Sequence, residues 1–298
     1  MSRWIPDIPS VDEYRSRIHD NDSWLPAFSE ICVRHGLDPR SLERQGTGTH
    51  IVFRTGERIV KLYAPFWIED FHAESAALAP LRELPTPELL ALGEIDGWPY
   101  IVMTLVPGIP AAVVWPRLDS AQRIAIARQL GELMRRLHGH RPVASLATDW
   151  RDFLAERIAG AVAFHQVGEP WVGWIAGRLA AFHPSPASPV LLHADITDDH
   201  LLLTEMATGW RITGLIDFGD AMMGDPRYEF IAPLAFYAFG EPPVTRALLD
   251  GYGLSITDEV REELTTYCLL HKYGRIGVFL ARQPVADGDA FRRALWGE

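Results

Sequence analysis

Lysine and asparagine are almost absent: of 28 basic residues only Lys61 and Lys272 are lysine, and Asn21 is the one asparagine. A chain that otherwise uses arginine keeps lysine where a compact ammonium is needed and a planar guanidinium fork will not serve, which draws attention to Lys61. Cysteine is scarce as well. Cys32 and Cys268 lie far apart, outside any CxxC or Cys/His cluster, which argues against a disulfide framework or zinc site and for two buried thiols. Long apolar runs are missing; the longest lies around residues 231–239, well short of the roughly 20 residues that cross a bilayer. The opening MSRWIPDIPS has no basic segment followed by an apolar stretch, so no export signal and no membrane association are expected, and a cytoplasmic location follows. Positive charge is also in deficit. With 28 basic and 39 acidic residues the net charge is −11, which argues against a nucleic-acid partner and suits a small cationic ligand.

What is present is an ordinary globular composition, 48% apolar and 22% charged over 298 residues, enough for two lobes around a sizeable core. Residues 1–44 read as helical turns and form an N-terminal extension. From Gly46 the sequence GTGTH opens a glycine-rich hairpin, whose return strand at 58–63 carries Lys61. Ile68 to Leu78 is a helical stretch bearing Glu74. Asp96-Gly97, between segments 89–93 and 100–106, signals a second hairpin. Beyond Pro107 the chain turns helical: Asp119 with Gln122 resembles a capping box ahead of Ile126, Leu130, Leu133, Met134 and Leu137 at helical spacing. Segments 153–164 and 171–182 read as further helices, 190–192, 201–204 and 212–216 as short strands, and helices resume near Phe230. The expected fold is α+β and bilobal, with residues 1–106 a small β-rich lobe and 107–298 a larger, mainly helical one.

The chemistry-bearing residues follow that order. LLHADITDDHLLL at 191–203 and LIDFGD at 215–220 place Asp195 and Asp217 at the ends of short strands. One carboxylate that orients and deprotonates a hydroxyl, with another that holds a divalent cation, is the division of labour that phosphoryl transfer requires. In the first lobe, Gly46 and Gly48 frame a loop able to approach phosphates, Lys61 would hold the α- and β-phosphates, and Glu74 would pair with Lys61 and fix it. Taken singly, each part also has a plain reading: a tight hairpin, an edge-strand charge, a solvated helix residue, a turn carboxylate.

Together, Lys61, Glu74, the linker YIVMTLVPG, His193-Ala194-Asp195, and Ile216-Asp217 with the Gly-Asp-Pro tripeptide at 224–226 resemble the aminoglycoside phosphotransferase family over nearly the whole chain. The resemblance implies a protein-kinase-like fold in which residues 1–106 bind the nucleotide and 107–298 carry catalysis and the acceptor. It implies ATP or GTP as donor, read at the backbone of Thr104 and Val106, with Mg²⁺ held by Asp217, Asp195 as the hydroxyl-orienting base and His193 as a structural residue. TDWRDF at 148–153, GDAMMGDPRYEF at 219–230 and the closing ALWGE look most like the hygromycin B phosphotransferases. One position departs from the pattern: five residues after Asp195 the family usually has asparagine, a second metal ligand, whereas this chain has His200. An imidazole ligand there would shift preference from Mg²⁺ towards Mn²⁺; simple packing is the alternative. For a cationic acceptor the expected contacts are Asp198, Asp199, Asp220 and Glu229, while Asp225 reads as a brace for its loop and Trp171 and Trp174 either cover a sugar ring or pack. The expectation is a kinase of an aminoglycoside antibiotic, hygromycin B first, that confers resistance. A kinase of an amino alcohol, sugar amine or macrolide, and an inactive nucleotide-binding relative, are the alternatives.

Overall fold

The computed structural model describes residues 4–46 and 48–297. Its first unit comprises the chain up to Arg82, Thr86–Val106 and the short segment Asp217–Gly219; the second takes Glu83–Pro85, Pro107–Ile216 and Asp220 onward. Asp217, which follows the second unit's strands in sequence, therefore belongs with the first.

In the first unit, residues before the sheet are not an appendage. Helix α1 (Val11–Arg17) is capped by Ser10, whose side chain accepts from the Glu13 amide, and α2 (Asn21–Arg34) follows. Along α2, Trp24, Ala27, Phe28 and Ile31 recur at helical spacing and are inaccessible to water. They share one core with Ile51, Phe53, Val60 and Trp98. The sheet is antiparallel, built from β1 (Leu42–Gln45), β2 (Ile51–Thr55), β3 (Arg58–Leu62), β4 (Leu89–Ile95) and β5 (Trp98–Thr104) in the order β1-β2-β3-β5-β4. β1 has no counterpart in the sequence reading, whereas the β4/β5 turn is the expected two-residue loop, with Asp96 and Gly97 at φ 49° and 85°. Helix α3 (Ile68–Leu78) comes after β3. The Tyr14 hydroxyl of α1 donates to the Thr49 carbonyl at 2.6 Å, which ties the N-terminal helices to the end of the glycine-rich loop.

The second unit begins with β6 (Ile109–Pro110) and α4 (Ala111–Val114), then α5 (Ser120–His138). Asp119 and Gln122 cap α5 reciprocally, as the sequence predicts, and Ile126, Leu130, Leu133, Met134 and Leu137 are buried. Helices α6 (Trp150–His165) and α7 (Trp171–Ala180) precede β7 (Val190–Leu192), β8 (Leu201–Met206), β9 (Gly209–Leu215) and β10 (Met222–Gly224). β6, β8 and β9 form one small antiparallel sheet; β7 pairs with β10. The apolar run near 231–239 becomes α8 (Ile231–Pro233) and a π turn (Leu234–Ala238), nearly all of it buried. Helices α9 (Pro242–Tyr252), α10 (Asp258–Tyr267), α11 (Gly277–Arg282) and α12 (Gly288–Trp296) complete it. Among the described residues no helix is long and apolar enough to cross a membrane. The architecture is mixed α+β, an antiparallel sheet with helices followed by a mainly helical unit.

Candidate active site

Lys61 on β3 and Tyr63 two residues later lie on the same side of the extended chain, and both reach one oxygen. Lys61 Nζ donates to Glu74 Oε2 at 2.6 Å and to Asp217 Oδ1 at 2.8 Å, and the Tyr63 hydroxyl donates to Glu74 Oε2 at 2.5 Å. Lys61 and Glu74 are 3% and 1% exposed, so each charge depends on the other for its compensation. Burial alone would push the Lys61 ammonium towards neutrality, but the Asp217 and Glu74 carboxylates outweigh it and hold the group above the ordinary lysine range. Burial and the Glu74 charge push the Tyr63 hydroxyl well up, so it stays a donor. One turn before Glu74 on α3, Asp70 bonds His50 Nε2 at 2.9 Å, and the His50 ring lies 4.6 Å from that of Tyr63. The glycine-rich loop is thereby anchored at its far end. At Gly46 the backbone is left-handed, φ 58°, and an added Cβ at Gly46 or Gly48 would meet nothing within 4 Å, so the loop presents open backbone. Thr47 lies outside the described residues. In the linker, the amides of Thr104 and Leu105 donate to the carbonyls of Glu88 and Glu57, and Val106 closes the unit.

In the second unit β7 runs into His193-Ala194-Asp195, and the turn is held by a carboxylate from below. Glu229 Oε2 accepts from the His193 amide at 2.7 Å and Oε1 from the Ala194 amide at 2.8 Å, fixing Ala194 at φ 65°, a conformation that costs a residue with a Cβ about 1–2 kcal/mol. Burial opposes the Glu229 charge, but the hydrogen bond and charge of His138, with the charge and amide of His193, outweigh it and hold the carboxyl below its usual range. His271 Nε2 donates to the Ala194 carbonyl at 3.1 Å. His193 Nε2 donates to the Ile216 carbonyl at 3.0 Å, and the Asp195 amide donates to His193 Nδ1. The backbone around Asp195 is thus tied on every side while its side chain stays 22% exposed.

The acceptor contacts expected from sequence fare unequally. Glu229 is a correction: it is 1% exposed with both oxygens engaged by the His193–Ala194 backbone, so it faces no acceptor. Asp198 pairs with Arg282 at 2.5 Å and Asp220 with Lys272 at 3.7 Å, while Asp199 is exposed. Asp225 caps its own loop, accepting from the Arg227 amide and the Tyr267 hydroxyl. Trp171 packs edge to face with Trp174 and with Phe291, and Trp174 lies tilted against Phe291. Sequence reasoning missed Tyr63, His138 and His271. Tyr63 had a visible signal, its twofold spacing from Lys61; the two histidines act through backbone and carboxylate contacts that leave none.

No three His, Cys, Asp or Glu side chains gather as a metal site among the described residues. Asp217 offers hard carboxylate oxygens on a side chain 42% exposed. A Mg²⁺ ion that keeps several waters and is held by one or two carboxylates plus substrate phosphates fits so sparse a donor set. His200 Nδ1 donates to the Asp195 carbonyl at 2.8 Å, which puts the lone pair of a neutral imidazole on Nε2, the tautomer a ligating histidine uses.

Comparison with known proteins agrees with this chemistry. Aminoglycoside 3'-phosphotransferase of Streptomyces fradiae is 28% identical over 205 residues, covering 64% of this chain and 74% of that protein. The uncharacterized protein YcbJ of Bacillus subtilis (strain 168) is 26% identical over 203 residues, 61% of this chain and 62% of that one. The fold matches the GDP complex of aminoglycoside 2'-phosphotransferase-IIIa with a TM-score of 0.67 at 22% identity, over 82% of this chain and 87% of the other. The sequence pattern of the phosphotransferase enzyme family matches residues 34–264, a span that holds Lys61, Glu74, Asp195 and Asp217 alike. The chain therefore belongs to that family and is a kinase-like phosphotransferase.

Proposed function

We propose that the protein transfers the γ-phosphoryl group of ATP or GTP to a hydroxyl of an aminoglycoside antibiotic, hygromycin B being the first acceptor to try, and so confers resistance. The observation that carries the kinase chemistry is the buried Lys61–Glu74 pair with Asp217 on the same ammonium. The acceptor class is supported by the relative from Streptomyces fradiae and by exposed Asp199 beside the catalytic turn.

Asp195 orients the acceptor hydroxyl and takes its proton as the new oxygen–phosphorus bond forms and the bond to the β-phosphate oxygen breaks. Lys61, held by Glu74 and Tyr63, neutralises charge on the α- and β-phosphates, and the backbone at Gly46 and Gly48 covers them. Asp217, with His200 as a second ligand, would hold Mg²⁺, which would supply further charge neutralisation. The base is read by backbone groups, the Thr104 carbonyl and the Val106 amide, which suits ATP and GTP alike; the GDP complex of the structural relative supports including GTP. A cytoplasmic location, where both triphosphates are made, belongs to the same proposal.

The test is a panel of aminoglycosides, macrolides and amino alcohols with ATP and GTP, read by mass spectrometry for one added phosphate. Asp195→Asn should abolish transfer while nucleotide affinity stays intact. Phosphate appearing only on a macrolide or an amino alcohol overturns the acceptor, and transfer to no hydroxyl overturns the whole reading.

A further inference from the structure

The second of the two lysines has no part in the phosphate machinery. Lys272 follows His271, the residue that holds the Ala194 carbonyl of the catalytic turn. Its ammonium, on a side chain 49% exposed, stands 3.7 Å from Asp220 and 4.8 Å over the Tyr273 ring. From α11, Arg282 reaches the loop that follows Asp195, its Nη2 donating to Asp198 Oδ2 at 2.5 Å and its guanidinium lying 5.4 Å over Phe236. Of the three carboxylates that follow Asp195 and Asp217 in their loops, Asp198, Asp199 and Asp220, two therefore already carry a cation from the chain's own C-terminal segment.

We infer that Arg282 and Lys272 are specificity-determining residues that cap Asp198 and Asp220 and limit how many ammonium groups an acceptor can bring. The inference rests on the acceptor-kinase reading above and narrows it. Asp198 is 16% exposed, so its pair with Arg282 is partly desolvated and outlasts an exposed surface pair. An acceptor ammonium that takes Asp198 must displace a guanidinium held by both a carboxylate and an aromatic face. The displaced charge then stays beside the newcomer and repels it. An acceptor with one basic nitrogen can use exposed Asp199 and leave both caps in place. A polyamine cannot. Among aminoglycosides the site accordingly favours those with few ammonium groups over the most highly charged ones.

The experiment compares kanamycin, a polyamine, with glucosamine and erythromycin, each carrying one basic nitrogen. kcat/KM with ATP and the dissociation constant of each acceptor are measured for the parent protein, Arg282→Ala, Lys272→Ala and the charge-preserving Arg282→Lys. Arg282→Ala should raise kcat/KM for kanamycin about five- to tenfold through KM, the size of a partly buried ion pair, and Lys272→Ala, which opens a more exposed pair, about two- to fivefold. The values for the mono-amines and for Arg282→Lys should match the parent. A kanamycin to mono-amine ratio that stays constant in both alanine variants overturns the inference while leaving the kinase reading intact. Phosphorylation of none of the acceptors by any variant, with ATP still bound, overturns the reading on which it rests. Should an alanine variant fail to fold, Arg282→Gln and Lys272→Gln carry the same comparison.

Discussion

Glu74 and Glu229 are each 1% exposed, and each is the buried carboxylate around which its unit's functional segment is arranged, yet they grip different things. Glu74 accepts from two side chains, Lys61 and Tyr63; Glu229 accepts from two backbone amides, those of His193 and Ala194. A side-chain partner has an identity that sequence can show. A backbone amide has none. That is why the sequence points to Glu74 through Lys61 and misplaces Glu229 among the acceptor contacts.

The difference has consequences that mutation can separate. Glu229→Ala should do the most damage, because it leaves two buried amides without an acceptor at about 1–3 kcal/mol each and frees Ala194 from its left-handed conformation. Urea unfolding should record a loss of several kcal/mol, and activity should fall with it. Glu74→Gln should instead cut kcat on the order of a hundredfold with a smaller loss of stability, since Lys61 keeps Asp217 as a partner. Equal losses of stability in the two variants would break the comparison.

Tyr63→Phe sharpens it further. Removing a hydrogen bond to a buried charged group should lower kcat/KM about tenfold, or about 1.4 kcal/mol. In a Glu74→Gln background the same change should add almost nothing, because Tyr63 works through Glu74; fully additive losses would show that it does not. The smallest effect is one of pH. The Glu229 carboxyl is held below the ordinary glutamate range, so its stabilisation is complete above that range and is lost as pH falls through the lower folded value. The stability difference between the parent and Glu229→Gln should be flat near neutrality and shrink only below about pH 4.5. Shrinkage already between pH 7 and pH 5 would assign the titration to another group.

Legibility followed the same division. The glycine-rich hairpin, the Asp96-Gly97 turn, the Asp119–Gln122 cap and the Lys61–Glu74 pair were all readable because their residue types carry the physics. Strand β1 and the burial of Trp24 and Phe28 against the sheet depend on tertiary packing that a polar-interrupted stretch does not advertise. The segments that look like hygromycin B phosphotransferases prove to be packing partners. Trp150 stacks on Phe153, meets Tyr228 edge to face and fills the space beside Gly224, where a Cβ would come within 2.5 Å of its ring. Trp296 Nε1 donates to Thr265 Oγ1. These aromatic residues record how the second unit is packed.

The scarcity of lysine has a practical side. Amine-directed dyes and spin labels need an accessible nitrogen, and of the two lysine ammonium groups Lys61 is enclosed and ion-paired while Lys272 is half exposed. Apart from the chain's amino terminus, a succinimidyl ester has one lysine to find, and it lies next to His271, which holds the Ala194 carbonyl. The protein thus comes with an attachment point for a spectroscopic probe without any engineered residue.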